Sequence, residues 1–339
     1  MQFFQAARTA GLIAGLILVS ATAADAASYV FTTIDPPSTP GGDLVRAMSI
    51  NTRGQVLVQA VSYGTPFDFT DINDVYDVKT QTFSPLPSNP AGEALSTQAF
   101  AINNNGRIVG LYHPTGGYWQ GYSYLGGKFS SVNDSGARFN IPFGINQSGD
   151  IVGTFGTGPT TEGYLFSKGK FTTIDGGTFP SDSTGLVGIN NSGQIIGSYG
   201  PSGTYNYNHS FLDVGGVFTP IAYAGQISTT VSGINDHGTV VGGISNDSFA
   251  TGTAFTYNNG VFDFFSVPGA QDTFANGIDD YGRIVGQYVD ANGSMHGFLA
   301  TPLGGIVPEP ETWALMLIGV LAAGGAMRQK RHHANLRTS

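Results

Sequence analysis

Short apolar strands separated by polar turns recur along the chain at a nearly constant spacing. An Ile-Asn-x-x-Gly phrase (Asp replaces Asn in the last copy, and the first copy is worn) precedes an apolar run such as Ile-Val-Gly, and its copies begin at Ile50, Ile102, Ile145, Ile189, Ile234 and Ile278. The spacing is about 44 residues after a longer first step, and a period of about 40–45 residues is typical of a propeller blade. One supersecondary unit is therefore repeated six times.

Two further phrases complete each unit. A Phe-Thr-Thr-Ile-type strand begins at Phe31, Phe83, Phe129, Phe171, Phe218 and Phe262, and a Gly-Phe-Leu-type strand begins at Gly121, Gly163, Ser210, Ala254 and Gly297, with a weak copy at Val75. The Asn-x-x-Gly segment has the preferences of a type I turn followed by a glycine with positive φ. Pairs such as Gly215-Gly216 predict a second tight hairpin. Each unit is expected to contain four short strands.

The phase of the repeat predicts how the chain closes. The first strand, from Phe31 to Ile34, has no partner before it, and the last strand, from Gly297 to Leu299, has none after it. Pairing these two strands would remove two open sheet edges. We therefore predict that residues 27–303 form an all-β, six-bladed β-propeller with N-terminal strand closure. An open β-solenoid or a two-domain β-sandwich is the alternative.

Composition agrees with a β-rich exported protein. The chain has 339 residues, 50 glycines, no cysteine and 11% charged residues. Without cysteine, closure must come from packing. The formal net charge is −9, and the segment between the termini is more acidic, at roughly −11 by residue count. We expect no nucleic-acid partner for a body of this charge.

Residues 1–26 have the order of a secretory signal peptide. Arg8 precedes an apolar run from Leu12 to Val19, and small residues follow up to Ala26. This order predicts a signal helix and export by the Sec machinery. A short buried helix is the alternative.

Residues 304–339 form a tripartite tail. Pro308, Glu309 and Pro310 precede an apolar segment from Trp313 to Met327 and then a basic cluster. The apolar part has about fifteen residues, fewer than the roughly twenty of a permanent spanning helix.

This tail resembles the PEP-CTERM sorting signal of Gram-negative bacteria, also described as an ice-binding protein C-terminal domain. The resemblance implies transient membrane insertion of a transmembrane sorting helix, recognition by an exosortase and cleavage near Pro308–Pro310. It further implies passage through the inner membrane and periplasm to the cell surface or the exopolysaccharide matrix. An ordinary tail anchor is the alternative.

The middle of the chain resembles the extracellular repeats of the HAF family. His296-Gly297-Phe298 and His209-Ser210-Phe211 are the nearest matches to its His-Ala-Phe phrase, whereas Gln120-Gly121-Tyr122 departs at both ends. The resemblance covers roughly residues 28–303. It implies an extracellular repeat protein and no particular activity.

Candidate binding residues fall on the predicted loop-rich face, where the longer connections of each blade meet. One connection carries Tyr112, His113, Tyr118 and Trp119, and another carries Tyr205, Tyr207 and His209. Flat aromatic rings beside hydroxyl and amide groups suit sugar rings. Polysaccharide is therefore a candidate ligand, and packing between blades is the alternative role of these aromatics.

An acidic stretch occupies the long first step. Asp71, Asn73, Asp74 and Asp77 supply hard oxygen ligands that could hold a structural Ca²⁺. The glycine and the terminal glutamate of an EF-hand are missing. A solvated surface loop is the preferred interpretation, and no other cofactor is expected.

Catalysis has little support in the sequence. No nucleophile elbow is present, and the histidines have no metal-ligand spacing. Glu162 and Asp182 could pair for glycoside cleavage, but nothing singles them out. We expect a non-enzymatic matrix or surface protein that binds polysaccharide or protein, or is purely structural. A polysaccharide-acting lyase or hydrolase on the same scaffold is the alternative.

Overall fold

The computed structural model of the chain describes residues 29–37, 44–63, 69–88, 94–114, 117–134, 136–156, 160–175, 182–201, 209–226, 228–245 and 252–303. The predicted signal peptide and sorting tail lie outside these residues. Within these ranges every regular element is a β-strand. No helix in the same ranges is long and apolar enough to cross a membrane.

The strands form six four-stranded antiparallel sheets, named here blades 1 to 6. Blade 1 contains β2 (Leu44–Ile50), β3 (Gln55–Tyr63), β4 (Phe69–Asp77) and β5 (Thr82–Pro85), and blade 2 contains β6 (Ala94–Ile102), β7 (Ile108–Pro114), β8 (Gln120–Leu125) and β9 (Lys128–Ser131). Blade 3 contains β10 (Phe139–Ile145), β11 (Ile151–Gly156), β12 (Thr161–Ser167) and β13 (Lys170–Ile174), and blade 4 contains β14 (Asp182–Ile189), β15 (Ile195–Pro201), β16 (His209–Val214) and β17 (Val217–Ile221). Blade 5 contains β18 (Ser228–Ile234), β19 (Val240–Ser245), β20 (Gly252–Asn258) and β21 (Val261–Phe265), and blade 6 contains β22 (Asp272–Ile278), β23 (Ile284–Val289), β24 (Met295–Pro302) and β1 (Tyr29–Thr33).

The two kinds of tight turn lie at the same end of each blade, as predicted. The glycine of every Asn-x-x-Gly turn has a positive φ, between 74° and 85°. In the second hairpin of blades 2 to 5 both central residues have positive φ, as at Gly215 (64°) and Gly216 (89°), which is the geometry of a primed hairpin turn. This end of the molecule is called the short-turn face, and the opposite end is called the loop-rich face.

The N-terminal strand closes the ring. β1 pairs antiparallel with β24, with Phe31 opposite Ala300 and Thr33 opposite Phe298. The pairing continues past the strand, because Ile34 N donates to Gly297 O at 2.8 Å. β2 in turn packs against β23 and β24, so blade 6 contacts blade 1. The prediction of a six-bladed propeller with N-terminal closure is confirmed.

Glycine in the second strand makes room for an aromatic residue in the third. Gly242 pairs with Phe255, and a Cβ atom on Gly242 would lie 1.9 Å from Thr230 O and 3.0 Å from the Phe255 ring. The same pairing recurs in blades 2, 3, 4 and 6. Blade 1 departs from it, because Val58 there faces Asp74. These aromatic side chains fill the cores between neighbouring blades.

Every innermost strand carries a β-bulge at the same place. The register shifts at Met48, Phe100, Phe143, Val187, Ser232 and Asn276. A small residue follows each bulge. At Gly277 a Cβ atom would lie 3.1 Å from Ser49 Cα of the next blade. The glycine that directly precedes the Ile-Asn-x-x-Gly phrase in blades 3 to 6 thus lets neighbouring inner strands approach closely.

The turn asparagines join the blades in a ring. The side-chain Nδ2 of each donates to the main-chain oxygen of the equivalent residue in the next blade at 2.9–3.4 Å, from Asn51, Asn103, Asn146, Asn190 and Asn235. Their Oδ1 atoms accept main-chain N–H groups of their own turns, as Asn190 does from Ser192 (3.1 Å) and Gln194 (2.9 Å). These side chains are buried, and their hydrogen bonds within one blade and to the next satisfy their polar atoms.

Blade 6 closes this ring with different chemistry. Asp279 has no amide donor, and Arg283 replaces it by donating from Nη2 to Asn51 O at 3.3 Å. Arg283 Nε also donates to Asp279 Oδ2 at 2.6 Å. Burial raises the pKa of Asp279 although the Arg283 guanidinium acts in the opposite direction. The buried acidic residue is therefore a partner of Arg283.

Candidate functional site

Three aromatic rings and one guanidinium gather on the loop-rich face between blades 2 and 3. His113 lies near the end of β7, Tyr118 and Trp119 precede β8, and Arg138 precedes β10. The His113 and Trp119 ring centroids are 4.7 Å apart. The Arg138 Cζ atom lies 4.3 Å from the centre of the Tyr118 ring, and Arg138 Nη2 donates to the Tyr118 hydroxyl. These four residues are called the aromatic patch.

The patch is held by the sheet but remains open to solvent. Asn140 N of β10 donates to Trp119 O at 3.1 Å, and Arg138 N donates to Gly156 O at 2.8 Å. Both segments are thus tied to blade 3. Tyr118 nevertheless keeps 49% of its surface exposed and Trp119 keeps 36%. A cation over an aromatic face contributes about 0.5–1 kcal/mol at an exposed site, which helps to hold Tyr118 in one orientation.

The structure brings together only part of the predicted set. Tyr112 pairs with Gln120, and as the strand neighbour of His113 it points to the other side of the sheet. His209 lies on blade 4, where its ring stacks on Tyr199 at a centroid distance of 5.0 Å. Tyr205 and Tyr207 lie outside the described residues. Of the predicted residues that the structure describes, those on β7 and just before β8 are therefore separated from His209 by blade 3.

Arg138 was missed by sequence reasoning. It lies in a connection that has no counterpart in the repeated phrases, and its pairing with Tyr118 spans 20 residues. The available signal was its rarity, because few basic residues occur between the termini of this acidic chain.

A histidine–tyrosine pair also marks the closure. His296 stacks on Tyr288 at 5.1 Å in blade 6, at the same strand positions as His209 and Tyr199 in blade 4. His296 Nδ1 is 2.7 Å from Asp35 Oδ2, and Gly297 N donates to Asp35 Oδ1 at 3.1 Å. This histidine is thus engaged in holding the N-terminal segment against β24.

The inner strands of all six blades surround a central channel with an empty volume of about 720 Å³, open mouth included. Phe100 and Phe143 meet in its wall at a centroid distance of 5.1 Å. Asp236 accepts from both Asn191 N and Asn191 Nδ2, at 2.8 and 2.6 Å. Both Asp236 oxygens therefore accept hydrogen bonds from the neighbouring blade. Hydrogen bonds between adjacent blades line much of the channel mouth.

The acidic stretch is a strand, and the expectation of a surface loop is wrong. Asp71, Asn73, Asp74 and Asp77 all lie on β4, where alternation puts Asn73 and Asp74 on opposite faces. Asn73 Nδ2 donates to Thr97 O at 2.6 Å, and Ala99 N donates to Asn73 Oδ1 at 3.0 Å.

The other carboxylates of β4 have separate surroundings. Asp74 is buried, and this burial raises its pKa. Asp77 accepts from the main chain of Thr80 and Lys79, and these bonds lower its pKa. Across the described part of the chain, no three His, Asp or Glu side chains are grouped so that they could hold a metal.

The carboxylates considered for glycoside cleavage lie on adjacent blades. Thr161 N, at the start of β12, donates to Ser183 Oγ of β14 at 3.2 Å. Glu162 and Asp182 are the chain neighbours of these two residues, so their backbones are close. The structure describes the backbone of Asp182 but not its side chain.

No protein-family model and no curated protein sequence matches the chain. Among solved structures it is similar to the β-propeller domain of the Trilobed protease from Pyrococcus furiosus, with a TM-score of 0.49 and 10% identity over 79% of this chain and 99% of that one. It is also similar to the Aleuria aurantia lectin, with a TM-score of 0.47 and 13% identity over 80% and 99% of the two chains. Trypanosoma rangeli sialidase gives a TM-score of 0.45 and 9% identity over 78% of this chain and 54% of that one. Similarity at this level carries no conclusion about ligand or activity.

Proposed function

We propose that this protein is a secreted or surface-bound, non-enzymatic β-propeller that binds polysaccharide through the aromatic patch. The observation that carries the proposal is the solvent exposure of Tyr118 and Trp119 while Arg138 and His113 hold their rings. A sugar ring offers apolar C–H groups to an aromatic face and hydroxyl groups to the polar atoms around it. Rings held before binding lose little conformational entropy when a ligand arrives.

Glycan-array binding of the purified protein tests this proposal, followed by titration with the best glycan. Trp119→Ala should weaken binding at least about fivefold, taking the about 1–3 kcal/mol of a flat ring stacked on an aromatic side chain, as measured for nucleic-acid bases, as the scale for a sugar ring. Tyr281→Ser is the matched control, since Tyr281 is 55% exposed beside Arg283 on the short-turn face. Serine already occupies the same turn position at Ser148 and Ser192. Equal affinities for both variants and the parent protein would contradict the proposal.

A polysaccharide-acting lyase or hydrolase is the second candidate, favoured by the contact that brings the backbones of Glu162 and Asp182 together. Two carboxylates across a scissile bond are the usual arrangement for glycoside cleavage. Release of reducing ends from a bound polysaccharide, abolished by Glu162→Gln, would establish this function. Binding without product release would leave the non-enzymatic proposal standing.

The proposed location rests on the two chain ends, which lie outside the described residues. We propose export by the Sec machinery and sorting by an exosortase that acts near Pro308, Glu309 and Pro310. Intact-mass measurement of the protein recovered from the cell surface should show a new C-terminus close to Pro310. Recovery of the mature protein with Arg337 still attached would contradict exosortase processing.

A further inference from the structure

A row of three large polar residues crosses blade 1, whereas the corresponding row of every other blade has at most one, Gln98 in blade 2 and Gln287 in blade 6. Arg46, Gln59 and Asn73 are directly opposite one another on β2, β3 and β4. Directly paired residues share a face of the sheet, with Cβ atoms about 4.5–5.5 Å apart. The corresponding row holds Ile141, Thr154 and Gly163 in blade 3, and Thr230, Gly243 and Ala254 in blade 5.

This row faces blade 2. The Asn73 carboxamide bonds both Thr97 O and Ala99 N of β6, so its two polar atoms have partners in the neighbouring blade. By cross-strand pairing, Arg46 and Gln59 lie on the same side of the sheet. Arg46 is the third residue of β2 and therefore lies toward the loop-rich face, and it is only partly buried.

The other two residues have buried donors without acceptors. Gln59 is 3% exposed, and its Nε2 has no hydrogen-bond partner in the described part of the protein. The same holds for the buried Arg46 Nε. A buried donor that loses its water without gaining an acceptor is costly, and a guanidinium without a counter-charge is more so. Two buried donors of the row, Arg46 Nε and Gln59 Nε2, therefore need an acceptor. Because Arg46 is positively charged, a negatively charged acceptor would fit best.

We infer that Arg46 and Gln59 form an oxyanion-binding site between blades 1 and 2, which accepts a carboxylate or a similar small anion. The planar fork of an arginine matches two carboxylate oxygens, and the Gln59 amide supplies a further neutral donor. This assignment differs in sign from the calcium site that the acidic residues of β4 suggested. It involves none of the residues of the aromatic patch, so it stands or falls separately from the proposed function.

Thermal unfolding of the purified protein at constant ionic strength tests the site. Galacturonate and sulfate are compared with chloride and with neutral galactose, so that an organic carboxylate is distinguished from an inorganic anion. Saturating oxyanion should raise the Tm by about 2–4 °C over chloride. Arg46→Gln and Gln59→Leu should each weaken binding at least about tenfold and so remove most of this rise when the oxyanion is held at a few times the parent protein's Kd.

Arg53→Gln is the matched control. It removes one positive charge, as Arg46→Gln does, but Arg53 is exposed on the first turn of the same blade. This variant should keep the full response. An equal Tm in oxyanion and in chloride would overturn the assignment, as would a rise that persists in both site variants. If Arg46→Gln does not fold, Gln59→Leu decides the question alone, since it leaves the charge in place.

Discussion

The ring of turn asparagines predicts a specific cost for one atom-scale change. Asn190→Asp keeps the oxygen that accepts from Ser192 and Gln194, but removes the two amide hydrogens that reach Asn235 O at 3.0 Å and Gln194 Oε1 at 2.7 Å. The residue is 3% exposed, so the new carboxylate would be buried against two oxygen atoms. An uncompensated buried charge costs about 3–5 kcal/mol. We expect this loss in the free energy of unfolding, measured by guanidinium denaturation.

Blade 6 shows how the same change should be rescued. There Asp279 is accompanied by Arg283 four residues later, and the guanidinium supplies the missing donors. Adding Gln194→Arg to Asn190→Asp copies this arrangement into blade 4. The double variant should recover at least about 2 kcal/mol, a coupling energy within the range seen for residues in contact.

Two controls isolate the effect. Gln194→Arg alone should be mild, because blade 2 already combines Asn103 with Arg107 at the same positions. Asn105→Asp makes the identical chemical change on an exposed turn and should alter stability by no more than about 0.5 kcal/mol. The reasoning is refuted if Asn190→Asp costs less than about 1 kcal/mol, or if the double variant shows no coupling.

Three further changes follow from buried features of the blades. Burial raises the pKa of Asp74, so the folded protein keeps this carboxyl protonated to higher pH than the unfolded chain does. Its stability should therefore fall as the pH rises above about 4, and Asp74→Asn should remove this fall in Tm between pH 4 and 7. Gly286→Ala would place a Cβ atom 1.9 Å from Phe274 O and should cost about 3 kcal/mol or more, whereas near-normal stability in denaturant would contradict the packing described. Asp35→Ala removes the acceptor of Gly297 N and should cost about 1–2 kcal/mol, with faster amide hydrogen exchange in β1; unchanged exchange there would show that Asp35 does not hold the closure.

The architecture could be predicted because repeated local sequence patterns specify its strands and turns. The six phrases set the number of blades, and the unpaired strands beginning at Phe31 and Gly297 set the closure. The glycine at each turn marks a positive φ that other residues rarely adopt. Each of these signals depends on near neighbours in the chain, so a single sequence is sufficient to show them.

Contacts between blades left no such local signal. The turn asparagines looked like ordinary turn residues, and their reach to the next blade follows only from the closed ring. Arg283 completes that ring across more than two hundred residues of sequence. The polar residues of β4 hid its strand character, because Asn73 and Asp74 break the apolar alternation by which a strand is recognised. The role of Arg138 likewise depends on Tyr118, which lies 20 residues earlier, and that of Arg46 on its position opposite Gln59 in the sheet.

A designed disulfide tests the closed ring most directly. Val30 lies opposite Thr301 in the β1–β24 pairing, and the chain contains no cysteine of its own. Directly paired strand positions are within the Cα separation that a disulfide spans. A Val30→Cys, Thr301→Cys variant should therefore oxidise within one chain and lose two hydrogens in intact-mass spectra. The control with Val30→Cys and Val217→Cys, on the exposed edge of blade 4, should not do so. A reduced or intermolecularly linked first variant would contradict the closed propeller.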